Sequence, residues 1–192
     1  DPFLPFFKFF RSDIGKKDHQ SIAPLSPLDD YFFSSSGPHL LKLIQEQDFN
    51  IQFPIENFPD LMGAIKQYGQ PYSPLIMPHL DKISGNTYLD VFDSLMELVN
   101  EYYGDDKNQY TGTKEVWADE FIPSLLASKP HAKFIQIVRD PRAVCASKNS
   151  TKQAYPWLFL IRQWRKLAGL ALLYQKHDHI KKQVLCIRYE DL

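Results

Sequence analysis

Apolar residues recur along this chain in two rhythms that change over near residue 110. Before that point the period is helical. Phe3, Phe6, Phe7 and Phe10 share helical spacing, which predicts a short helix with one apolar docking face. His39–Gln47 and Asp60–Tyr68 read as further short helices in a stretch broken by Pro24, Pro27, Pro54, Pro59, Pro71, Pro74 and Pro78. Gly69 is the expected stop of the second. Leu89, Phe92, Leu95, Met96 and Val99 predict an amphipathic helix from Thr87 to about Tyr103. Ser84-Gly-Asn-Thr87 supplies its N-cap and Gly104 ends it. Ser34–Pro38 and Asp105–Asn108 read as loops.

After residue 110 short apolar runs alternate with helical patterns. A strand is expected near 112–117, a helix over 119–128 with Asp119 as N-cap, and a strand over 133–138. A helix from Arg142, a long one from about Pro156 to His177 and a strand over 183–189 follow. Such alternation implies parallel strands joined by crossovers. Phe134, Ile135, Ile137 and Val138 read as a strand buried on both faces.

Chemistry gathers at the end of that strand. Arg139 stands at its carboxyl end, where open α/β sheets bind ligands, and Pro141 ends the ladder. Ser147 lies about two turns into the next helix, on the side facing back toward the turn. A permanent cation and a hydroxyl converging on one point suit a phosphate. Equally, Arg139-Asp-Pro-Arg142 reads as a turn whose charges pair with one another.

The stretch from Lys133 to Ser147 resembles the 3′-phosphate-binding motif of sulfotransferases, enzymes that use 3′-phosphoadenosine 5′-phosphosulfate (PAPS). By that resemblance Arg139 and Ser147 hold the 3′-phosphate of PAPS and of its product, adenosine 3′,5′-bisphosphate. Gly112-Thr-Lys-Glu-Val-Trp117 looks like the Gly-x-Lys strand end of many members and would aim Lys114 into the active-site mouth; read by itself, Lys114 is a solvated lysine. Arg188-Tyr-Glu-Asp-Leu192 looks like the ending of a later core strand in the family. Trp164 stands where similar proteins often carry tryptophan, or belongs to a helix's apolar stripe.

The resemblance implies a three-layer α/β fold, a parallel sheet flanked by helices and similar to P-loop kinases. It makes residues 1–192 one domain, with 111–192 as the cofactor-binding core and 1–110 as helices and loops on the substrate side. It implies transfer of a sulfuryl group from PAPS to a hydroxyl or amine of a carbohydrate, protein tyrosine or small molecule, without a metal. The general base stays unassigned. His131, in the turn before the strand, and His177 and His179, in the loop after the long helix, do not suit the role. His39 and His79 read as surface residues that could line the cleft, and Asp1 or a residue missing from this piece is the other alternative. No Ser-Gly-Thr-Thr-like loop for the 5′-phosphosulfate is visible, so the resemblance implies a piece of a longer enzyme, cut at both ends. Two other classes stay open: another P-loop-type kinase, and a non-catalytic domain of the same fold.

Charge supports the division. Residues 1–110 carry 8 Lys and Arg against 16 Asp and Glu, whereas residues 111–192 carry 14 against 7, so the basic part is the part with the motifs. It lacks the basic and aromatic interleaving of a nucleic-acid platform. Cys145 and Cys186 are too few for a disulfide framework and read as small buried residues, and no zinc spacing appears. The apolar start is too short to span a bilayer. Few cysteines favour the cytoplasm; the Golgi lumen, where the family has members, fits if an anchor precedes Asp1.

Overall fold

The computed structural model describes residues 2–17, 37–105, 107, 109–115, 118–149 and 156–192. The phenylalanine stripe forms helix α1 (Phe3–Lys17), and its docking face is used inside the chain: Phe3, Phe6, Phe7 and Phe10 are all buried. Phe10 meets Phe49 at 4.5 Å and Tyr88 at 5.1 Å between ring centroids, and Phe7 stacks on Phe121 at 4.8 Å. Edge-to-face and offset pairs of this kind each add about 0.5–1.5 kcal/mol beyond the area they bury. Helix α1 packs against α2 (Gly37–Glu46), α3 (Phe58–Gly69) and α4 (Tyr88–Tyr103), and the aromatic cluster joins it to α4 through Tyr88 and Phe92.

Helix α4 has the expected bounds. Thr87 Oγ1 accepts from the Asp90 amide at 3.1 Å while Asp90 Oδ2 accepts from the Thr87 amide at 2.9 Å, a closed capping box. Gly85 takes a positive φ of 147° just before it, and a Cβ there would come within 2.2 Å of Asp90 Cβ. Gly69 is the last helical residue of α3, not a residue beyond its end. A Cβ there would come within 2.8 Å of Met77 Cε, the flexible end of that side chain. Of the predicted loops, Ser34–Ser36, Asp106 and Asn108 lie outside the described residues, as do Pro24 and Pro27, and α2 already begins at Gly37.

In the second half, α5 (Ile122–Ser128) leads to β1 (Phe134–Val138). Then come α6 (Pro141–Asn149), the 20-residue α7 (Trp157–Lys176), the short α8 (Asp178–Lys181) and β2 (Val184–Arg188). The two strands pair in parallel, Phe134 with Val184 through Val138 with Arg188. The helices between them make the expected crossover.

Three expectations are corrected and a fourth, the sheet, is met only in part. Among the described residues the sheet has two strands, so the three-layer sheet is not seen. The strand expected near 112–117 is absent from 111–115, an exposed and largely polar segment with nothing apolar to bury; Val116 and Trp117 lie outside the described residues. β1 is covered on one face only: α7 packs there, while Ile135 and Ile137 on the other face are 68% and 56% exposed. Finally, Asp119 is not an N-cap. It opens a 3₁₀ turn (Asp119–Phe121) capped by Ala118, and its carboxylate accepts from Gln136 Nε2 at 2.6 Å. Its side chain is drawn to Gln136 on β1 and not to the free amides of the helix start.

Candidate active site

Parallel register decides which residues meet at the end of the sheet. Val138 pairs with Arg188, so Arg139 and Tyr189 leave the two strands side by side. The Arg139 guanidinium lies over the Tyr189 ring, 4.6 Å from its centroid. Pro141 opens α6, and the residue before a proline is confined to extended geometry, which sharpens the turn at Asp140.

One peptide unit in this turn is held from both sides. The Arg139 carbonyl accepts from Trp164 Nε1 at 2.6 Å, and the Asp140 amide that follows it donates to Glu190 Oε1 at 2.7 Å. The Asp140 carboxylate is engaged with Arg142, taking its NH2 at 2.6 Å and its backbone amide at 2.8 Å. Those bonds push the Asp140 carboxyl down to about 2 and raise Arg142 further. The charge-pairing reading of Arg139-Asp-Pro-Arg142 therefore describes its second arginine. The first makes no such pair among the described residues, and Arg139 Nε is buried without a hydrogen bond.

Arg139, Asp140, Arg142, Ala143, Tyr189 and Glu190 line an open hollow of about 540 Å³. Ser147 lies one turn beyond Ala143 on the same side of α6, and it is exposed. Lys114 is exposed on the 111–115 segment and lines no part of the hollow. Next to it the half-buried Glu115 accepts from Thr113 Oγ1 at 3.2 Å, and burial pushes its carboxyl up to about 7.

The profile of the Sulfotransferase family matches residues 49–192, three quarters of the chain. The chain belongs to the sulfotransferase family. Among curated proteins and among solved structures there is no match. In this sulfotransferase the three motifs that sequence analysis took separately converge: the Arg139 turn, Trp164 on α7 and Tyr189-Glu190 after β2. Trp164 is half-buried and bonded to the turn, so it is neither a purely apolar core residue nor a ligand of the hollow.

Sequence analysis missed a second polar cluster, under the sheet. Glu120 is fully buried; its Oε1 accepts from Arg11 NH1 at 3.2 Å and its Oε2 from Lys166 Nζ at 2.8 Å, joining α1 to α7. Burial pushes the neighbouring Asp119 up to about 6, against the pull of Lys166. Tyr174 donates its hydroxyl to the Asp119 carbonyl at 2.6 Å and in turn accepts from Gln45 Nε2. The signal was present in α7, whose buried stripe of Leu160, Gln163, Lys166, Leu170, Ala171 and Tyr174 includes two polar residues at core positions.

No histidine among the described residues lines the hollow. His131 is exposed in the turn before β1, at the far end of the strand, and His177 and His179 are exposed around α8. His79 stacks on Tyr102 at 4.3 Å. Asp1 and the His39 side chain lie outside the described residues. Cys145 is buried and Cys186 half-buried, and both are free thiols. No described helix is long and apolar enough to cross a membrane.

Proposed function

We propose that the Arg139 hollow receives the 3′-phosphate of PAPS and that the chain is part of an enzyme transferring its sulfuryl group to a hydroxyl or amine. The acceptor classes are those of the family resemblance: a carbohydrate, a protein tyrosine or a small molecule. In this reading β1 and β2 belong to a larger three-layer sheet of the P-loop type.

The observation that carries the proposal is Arg139 itself. Its backbone is fixed on both sides and its guanidinium rests on an aromatic ring, yet among the described residues it has no carboxylate partner and its Nε is buried without a bond. A guanidinium without a carboxylate among the described residues is open to an anion, and a phosphate would supply its counter-charge. The neighbouring Arg142 is already neutralised by Asp140, so one guanidinium faces the ligand. Ser147, one turn along α6 from Ala143, would add a hydroxyl to a second phosphate oxygen.

PAPS supplies an activated sulfuryl group. The acceptor oxygen or nitrogen forms a bond to sulfur as the bond from sulfur to the 5′-phosphate oxygen breaks, releasing adenosine 3′,5′-bisphosphate, while a base takes the acceptor's proton. Such transfers depend on positioning and on stabilising the charge of the leaving group. Lys114, on its exposed segment, is proposed for the second task.

Calorimetric titration of adenosine 3′,5′-bisphosphate, with AMP as control, tests the reading. Binding of the bisphosphate at least about tenfold tighter than AMP is expected, the worth of one charge-assisted phosphate contact. Equal affinity for the two, or none for either, removes the 3′-phosphate from the hollow.

A further inference from the structure

We infer that Trp164 and Glu190 are positioning residues for Arg139, acting through the single peptide unit between Arg139 and Asp140. The inference rests on the reading of Arg139 as the 3′-phosphate ligand, and its test has an arm independent of that reading.

In a trans peptide the carbonyl and the amide point in opposite directions. Trp164 holds one end and Glu190 the other, at 2.6 and 2.7 Å, from two elements distant in sequence. Together they fix the plane of the peptide, and with it the ψ of Arg139 and the φ of Asp140. Rotation of that plane is the easiest way for a turn to relax, and both of its handles are taken. The direction in which the Arg139 side chain leaves the backbone is set accordingly, and it carries the guanidinium over Tyr189.

Charge gives a second, independent argument. Glu190 lines the hollow, where a carboxylate opposes the binding of an anion. It is not paired with the Arg139 guanidinium; its oxygen faces the Asp140 amide. A carboxylate in that place weakens the site unless it contributes through the backbone, as this one does.

The two roles of Glu190 separate cleanly by substitution. Glu190→Gln removes the charge and keeps the acceptor; Glu190→Ala removes both. Trp164→Phe keeps an aromatic ring and removes the donor. Trp164→Phe and Glu190→Ala are each expected to weaken adenosine 3′,5′-bisphosphate binding about tenfold, and Glu190→Gln to stay within about twofold of wild type or bind tighter. In an Arg139→Ala background neither Trp164→Phe nor Glu190→Ala should weaken binding further. A merely structural loss would persist in that background.

The ligand-free arm uses nuclear magnetic resonance of the full 192-residue chain. The Arg139 δ protons, close to the Tyr189 ring, should show an upfield ring-current shift. That shift should collapse in Trp164→Phe and Glu190→Ala and survive in Glu190→Gln. Its survival in all three overturns the inference, as does a binding loss in Glu190→Gln equal to that in Glu190→Ala. If the wild type shows no preference for bisphosphate over AMP, the cofactor reading falls, and the ring-current arm alone decides the positioning role.

Discussion

The indole nitrogen of Trp164 stands 2.6 Å from the carbonyl oxygen of Arg139, a residue 25 positions earlier in the chain. The bond joins the middle of the crossover to the turn that the crossover leaves behind. It makes α7 both a wall of the core and a support of the candidate site.

Replacing the Arg139 side chain tests the site without dismantling it. Arg139→Ala should weaken adenosine 3′,5′-bisphosphate binding by about 2 kcal/mol or more, the worth of a charge-assisted contact. Folding should survive, because inside the protein the guanidinium contacts the Tyr189 ring, a contact worth about 0.5–1 kcal/mol at an accessible site. Calorimetry and a denaturation curve on the same sample check both halves. Ser147→Ala should act in the same direction on binding and to a smaller extent.

Trp164→Ala is a stability variant. It removes a large half-buried ring and a hydrogen bond together, and should cost about 3 kcal/mol in urea denaturation. A loss below about 1 kcal/mol would show that α7 does not depend on this side chain.

The buried ions predict a contrast between breaking and replacing them. Glu120→Ala leaves Arg11 and Lys166 buried with their shared carboxylate gone, and should destabilise by about 3–5 kcal/mol. The triple replacement Arg11→Met, Glu120→Leu, Lys166→Met should be far less harmful, since apolar packing often substitutes for a buried ion network. Thermal unfolding of the two proteins side by side decides it.

Asp119 predicts a pH dependence of opposite sign to the usual carboxylate. Burial raises its folded pKa to about 6, so the native state binds the proton more tightly than the unfolded chain. Its favourable contribution is complete below about pH 4 and is lost as pH rises through about 6. Asp119→Asn still presents an oxygen to Gln136 Nε2, which now donates to the carboxylate at 2.6 Å. The variant should be more stable than wild type by about 1 kcal/mol or more at pH 7, and should flatten the stability curve between pH 4 and 6. Denaturant midpoints taken across that range read it directly.

Much of this architecture was legible in the residue pattern. The helical spacing of Phe3, Phe6, Phe7 and Phe10 located α1 and its buried side, and the spacing from Leu89 to Val99 located α4 with its cap at Thr87. The Arg139 turn was found because a strand, a proline and a charge coincide there. What the pattern could not show was which charges would find each other. Asp140 took Arg142 and left Arg139, a matter of geometry over a span of four residues. Glu120 and Lys166 meet across 46 residues, and Asp119 turns inward because Gln136 waits for it on β1. Burial of β1 was overread for a related reason: an apolar run reports that a strand can be covered on both sides, not that α7 covers only one.

Strand length acts as a ruler in this molecule. From the pairing of Phe134 with Val184, each strand counts five residues before releasing its turn, and equal counts deliver Arg139 and Tyr189 to the same place. A single residue inserted between Val184 and Arg188 would conserve every side chain discussed above and still ruin their meeting. It would send Tyr189 to the opposite face of the sheet and carry Glu190 out of reach of the Asp140 amide. The spacing between motifs is thus as much a part of the site as the residues that compose them.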